Sequence, residues 1–181
     1  MTTIIGVQYE NSCLLIADSL VTDETGRSWS HPDMQKLSRN GAFIIGGSGE
    51  VSPCDITQHV WTPPNPTAKD KQDVYKFMIK KAMPSLRKCL KDNGFNFEES
   101  QDKDSGPRFQ FLFAVCGQLF DVMDDLSVQR SLDGFYAVGS GAQFALGALY
   151  SGAKPMKAMN IAAKLSIFSE GPFQVEEQEC D

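Results

Sequence analysis

Residues 2–9 read Thr2-Thr3-Ile4-Ile5-Gly6-Val7-Gln8-Tyr9, a β-branched apolar run with a threonine at its head. The composition of residues 3–9 predicts a strand, with Thr2 at its start. Removal of Met1 would give Thr2 a hydroxyl nucleophile and, on the same residue, a primary amine able to act as its base. An α-amine titrates near pH ~7.7–8.0, so part of it is unprotonated at neutral pH, and a nearby cation enlarges that part by disfavouring the charged form. Thr2 is small enough for ordinary methionine removal, so this site needs no longer propeptide.

Outward from this strand, Glu10, Asn11 and Ser12 separate it from CLLIAD (13–18), which predicts a hairpin. A short strand is expected around Met34 to Leu37, then an apolar strand, AFII, running into Gly46, Gly47, Ser48 and Gly49. A helix should start after Gly49 and stop at the TPPNP breaker. In the next helical segment Val74, Phe77, Met78, Ala82, Leu86, Cys89 and Leu90 recur at three- and four-residue steps, and Pro84 inside it predicts a kink or a break near Met83. The polar stretch from Asn93 to Gly106 reads as an exposed connector. Strands follow in FQFLFAV, QLFDVM and FYAVGSG, then helices over Gln143–Tyr150 and from Pro155 to about Phe168, and a last strand in PFQVEE. The terminal EEQECD reads as a solvated end.

Grouped strands and grouped helices argue against alternating βαβ units and a parallel sheet. They suit two stacked antiparallel sheets with a helical layer on each outer face, in one domain spanning residues 1–181. A formal net charge of -6 disfavours nucleic acid and anionic membrane surfaces as partners. Five scattered cysteines without a CxxC pair fit reduced thiols in a cytoplasmic setting. His31 and His59 lack metal-ligand spacing and read as surface or loop residues, so no metal and no cofactor is expected. No basic region precedes the first apolar run, and no run is long enough to span a bilayer. GSGAQF lacks the third glycine of a dinucleotide loop.

TTIIGVQY, LIADS, Lys36, FIIGGSGE and YAVGSGAQFALGALYSG, in that order, resemble the β-type subunits of the proteasome and the bacterial HslV peptidase, from Thr2 to about Ser169. The resemblance implies an α+β fold, the four-layer αββα sandwich of N-terminal nucleophile hydrolases, and threonine peptidase activity. It implies Thr2 as nucleophile with its amine as base, Lys36 as the neighbouring cation, Asp18 as that lysine's acidic partner, Gly46 as oxyanion-hole donor and Ser140 beside the amine. Thr22 would pair its backbone with a substrate strand. Val21, Met34, Ile44 and Ser48 would line the substrate pocket, giving a mild preference for apolar residues.

The same resemblance implies a homo-oligomeric ring acting on peptide or protein, fed by a separate ATP-dependent unfoldase. It departs at Lys164, which aligns with an aspartate close to the serine and the amine, unless the register shifts and Ser166 or Ser169 takes that place. Relatives bind a monovalent cation near positions matching Ala163, Ser166 and Ser169. Two other readings stand beside the peptidase: a catalytically inactive assembly or interaction protein, favoured by Lys164 and a retained Met1, and an N-terminal nucleophile amidase acting on a small molecule.

Overall fold

The computed structural model describes residues 2–22, 25, 27–30, 34–98 and 107–180. Met1, His31 and part of the 93–106 connector therefore lie outside the described residues. Strands β1 (Thr3–Gln8) and β2 (Ser12–Ala17) form the expected hairpin. A small ribbon follows that the sequence did not predict, β3 (Val21–Thr22) with β4 (Ser28–Trp29). The short strand begins later than expected: Met34 to Lys36 precede β5 (Leu37–Asn40), which pairs with β6 (Phe43–Gly49).

Helix α1 (Val51–Asp55) continues into a π-helical turn, Ile56–Val60, that ends at Trp61. The next helical stretch comprises α2 (Ala68–Lys71), α3 (Val74–Phe77), a second π-helical turn (Met78–Ala82) and α4 (Met83–Asp92). No break occurs near Met83: the chain stays helical from Val74 to Asp92, with the π-helical turn just before Pro84. Pro84 lacks an N–H, and it sits in the first turn of α4, where that donor is not required.

Strands β7 (Phe109–Val115) and β8 (Gln118–Val122) join through Cys116 and Gly117, at φ 52° and 67°, the left-handed pair that a tight hairpin requires. After β9 (Val128–Gln129), which was not foreseen, come β10 (Phe135–Gly139), α5 (Ala142–Tyr150), α6 (Pro155–Leu165) and β11 (Gln174–Glu179). Helix α6 ends three residues earlier than Phe168. The acidic tail is also more ordered than expected, because Glu176 to Glu179 pair with β2.

The strands make two antiparallel sheets, ordered β10-β1-β2-β11 and β5-β6-β7-β8-β9. Ile4, Leu15, Leu37, Ile44 and Leu112 fill the space between them. Outside the first sheet, Ile5 and Ile16 meet Ala145, Ala148, Ala158 and Ala162, small residues that let α5 and α6 approach the strands closely. Outside the second sheet, Phe43, Phe111, Phe113 and Phe120 pack under Trp61, Phe77, Leu86 and Leu90. The layering is αββα, as expected. Gln8 ties the sheets together at one end: its Nε2 donates to the Gly117 carbonyl at 2.7 Å and its Oε1 accepts from the Leu119 N–H at 2.8 Å.

Candidate active site

Strand β1 delivers Thr2 to the opposite end of the sheets. The threonine is nearly buried, at 8 % exposure. Its carbonyl accepts from the Ser140 N–H at 2.8 Å and from the Ser140 hydroxyl at 3.3 Å. Gly139, at φ 90°, makes that approach feasible, since a Cβ there would stand 2.0 Å from the Thr2 oxygen. Behind Thr2, the Thr3 hydroxyl accepts from the Gly141 N–H at 3.1 Å and shares a short hydrogen bond with Ser169.

Asp18, directly after β2, is fully buried. One carboxylate oxygen accepts from the Thr3 N–H and from Lys36 Nζ, both at 2.7 Å, and the other from the Leu20 N–H at 3.1 Å. Lys36 Nζ also donates to the Leu20 carbonyl at 2.6 Å. Burial pushes the lysine below its ordinary value of 10.5, and Asp18 opposes that shift. The lysine backbone is fixed too: its N–H donates to Gln174 Oε1 at 2.9 Å, and its carbonyl accepts from Gln58 Nε2 at 2.9 Å. A charged pair with this many hydrogen bonds is oriented, not merely neutralised.

Thr2 and Lys36 open onto one cleft of about 320 Å³, whose walls include Val21, Thr22, Met34 and Gly47. That volume is at the lower end for small-molecule and side-chain pockets, which run from roughly 300 to 1,000 Å³. The far wall is the face of α1 and its π-helical continuation, contributing Val51, Cys54, Asp55, Gln58 and His59. These positions recur at three- and four-residue steps, so they share one face of the helix.

The structure brings Thr2, Asp18, Lys36 and Ser140 together and puts Val21, Thr22 and Met34 on the cleft. Ile44 and Ser48 are not brought to its lining. Ile44 is fully buried between the sheets, and a Cβ on Gly46 would also point into that core, 3.0 Å from Leu37 and 3.2 Å from Ile4. The cleft face of β6 carries Gly47 and Gly49, while Phe43 and Ile45 of the same face join the helix-side core. A strand alternates its faces, so a one-residue offset in reading it exchanges every side chain. Ser48 lies on the inter-sheet side, 2.9 Å from where a Cβ on Gly139 would stand.

Lys164 is exposed on α6, whereas Ser166 and Ser169 are buried and Ser169 bonds Thr3, a placement that suits the register alternative. Sequence reasoning missed Gln58 and Gln174, whose only signal is chemical type, and it missed the helix face carrying Cys54, Asp55 and His59, which was legible as a periodic stripe. His59 is on the surface as expected, but in the π-helical turn and not in a loop. Burial pushes the Cys54 thiol up to about 12, with Asp55 and Glu50 adding to the shift.

The cysteines form no disulfide among the described residues. No helix among them is long and apolar enough to cross a membrane. No protein-family model matches the chain, and no curated protein matches it. Among solved structures, Thiobacillus denitrificans BPH in complex with epoxomicin matches with a TM-score of 0.73 at 23 % identity, over 99 % of this chain and 100 % of that one. A second structure of the same BPH gives 0.72 at 23 % identity, with 99 % of each chain covered. Eukaryotic HslV from Trypanosoma brucei gives 0.64 at 20 % identity, over 98 % of this chain and 99 % of that one. The chain thus has the four-layer N-terminal nucleophile hydrolase fold of the HslV and BPH structures.

Proposed function

We propose that the chain, one domain over residues 1–181, is a threonine peptidase subunit whose nucleophile is Thr2 after loss of Met1. The observation that carries this reading is the ion pair of Lys36 with the fully buried Asp18, fixed against the Thr3 N–H at a cleft that Thr2 also lines. A cation held there favours the neutral form of the Thr2 amine, which accepts the hydroxyl proton as Oγ1 attacks the peptide carbonyl. The amine then passes the proton to the leaving nitrogen. An ester remains on Thr2, and water activated by the same amine hydrolyses it.

On this reading the oxyanion donor moves from Gly46 to Gly47, the glycine that faces the cleft. Its N–H makes only a long bond, 3.3 Å, to the Lys36 carbonyl. Removing one such donor typically slows catalysis by ~10²–10³. Ser140 holds the Thr2 backbone, and β3, which carries Val21 and Thr22, edges the cleft where an extended peptide would add as a strand. A homo-oligomeric ring in the cytoplasm, served by an ATP-dependent unfoldase, completes the proposal and rests on the sequence resemblance.

The bond from the buried Ser169 to Thr3, with Lys164 exposed on α6, supports this reading over that of an inactive relative. The test is intact mass before and after treatment with a peptide epoxyketone, the warhead class of the epoxomicin bound to the Thiobacillus denitrificans structure. Expected are a starting mass lacking one methionine and one stoichiometric adduct that Thr2→Ala abolishes. A mass that retains Met1 and never shifts refutes the reading.

A further inference from the structure

The sequence suggested an apolar pocket, but the cleft wall formed by α1 carries a carboxylate. Asp55 is exposed, lines the cleft four residues before His59, and has no ion-pair partner among the described residues. Lys36, the other charged side chain of the described lining, differs in kind. It is 9 % exposed, and its ammonium is spent on Asp18 at 2.7 Å and on the Leu20 carbonyl at 2.6 Å. The buried pair cancels most of its own field, so Asp55 supplies the uncompensated charge of the described lining. Glu50, one residue before α1, adds to it only in part, because Arg108 binds both its carboxylate oxygens at 2.7 and 3.0 Å.

The cleft of about 320 Å³ leaves room for a side chain beside Asp55, since Gly47 and Gly49 add none of their own to its lining. Cys54 packs directly against Gly47, where a Cβ would stand 2.8 Å from its Sγ. The rest of the described lining is apolar, hydroxyl, amide or thiol apart from His59. This environment suits a side chain with an aliphatic stem and a cationic head, the stem lying against Val21, Met34 and Val51. Burial chiefly holds the proton on the Cys54 thiol, and Asp55 and Glu50 add to that.

We propose that Asp55 makes this cleft select an arginine or lysine side chain from the peptide. The inference deepens the peptidase reading and rests on the cleft being a peptide site. Its test uses three acetylated tripeptide carboxamides ending in arginine, norleucine or glutamate. Their binding to Thr2→Ala protein is measured by calorimetry, so that no turnover is needed.

Arginine should bind about tenfold more tightly than norleucine, the size expected of a charge pair in a cleft partly shielded from water, and glutamate most weakly. In the Thr2→Ala background, Asp55→Asn should bring arginine and norleucine within about threefold, Asp55→Glu should keep the order, and raising salt from about 0.05 to 0.5 M should narrow it. Equal or tighter binding of norleucine, an arginine preference that survives Asp55→Asn, or no measurable binding of any peptide overturns the proposal. Cleavage of the matching fluorogenic peptides by unsubstituted protein separates the two readings. An arginine preference in binding without cleavage of any peptide keeps this inference and removes the peptidase, whereas cleavage with norleucine preferred does the reverse.

Discussion

Two buried regions lie on either side of strand β6, and they are held together by opposite means. On its helix face, Phe43 and Ile45 belong to an aromatic core in which Phe43 meets Trp61 at 5.3 Å and Phe113 at 5.9 Å between ring centroids. At the end of the inter-sheet space, Asp18 and Lys36 are as deeply placed but are held by charge-assisted hydrogen bonds. The first region gains stability from apolar area, at about 25 cal/mol per Å² removed from water. The second gains little on balance, because desolvating two charges offsets much of their attraction. A fold that accepts such a pair next to Thr2 must be stabilised elsewhere, and the aromatic layer is where that occurs.

The contrast breaks most visibly at Phe113. The side chain is fully buried and touches Phe43, Trp61 and Phe111, so Phe113→Ala should lower the unfolding free energy by about 3–5 kcal/mol. Denaturant titration checks this through a lower midpoint at unchanged slope. A change below about 1 kcal/mol would mean that the aromatic layer is not what stabilises the molecule.

Next in size is the ion pair. Lys36→Met strands a fully buried carboxylate, yet the Thr3 and Leu20 N–H groups still donate to it. The expected loss is about 3 kcal/mol, the low end for breaking a buried pair. Lys36→Met with Asp18→Asn removes both charges and should recover more than half of that loss while leaving the protein without peptidase activity. A double-mutant cycle reads the coupling. If the double variant is less stable than Lys36→Met alone, the pair contributes net stability and the contrast fails.

How much of this was legible in the sequence follows from the same physics. The β1–β2 hairpin, the β7–β8 hairpin and the four layers were readable because apolar alternation and grouped elements report on burial. The ribbon β3–β4 and strand β9 have two residues per strand, too short for any period to show. Thr2, Asp18, Lys36 and Ser140, which the structure brings together, were singled out through their order along the chain. Ile44 and Ser48 fall on the inter-sheet face of a glycine-rich strand, where alternation has few side chains to mark which face meets the cleft. The end of the last helix was drawn to about Phe168, whereas α6 stops at Leu165 and the chain past it turns Ser169 inward, which apolar periodicity alone does not show. Gln58 and Gln174 were invisible because they hold the Lys36 backbone across 22 and 138 residues of sequence.

The smallest expected effect sharpens the comparison through its sign. Lys36 has a folded pKa below its ordinary 10.5, so between that lowered value and 10.5 the unfolded chain binds more protons and stability rises with pH. Cys13, fully buried between the sheets, is shifted the other way: burial, with Glu177 adding to it, raises the thiol from 9.0 to about 12. Its contribution is complete below pH 9.0 and is lost as pH rises from 9.0 through about 12, because only the unfolded chain gives up the proton. Stability measured from about pH 8 to 11 for the parent protein, Lys36→Met and Cys13→Ala therefore separates the two burial terms. Relative to the parent, Lys36→Met should fall more steeply with rising pH, because it has lost the rising term, and Cys13→Ala should fall less steeply. Parallel curves for all three would mean that neither group is desolvated as its position demands. A Lys36→Met curve shallower than the parent's would mean that Asp18, and not burial, dominates the lysine, so that the ammonium beside Thr2 is held more firmly than in water.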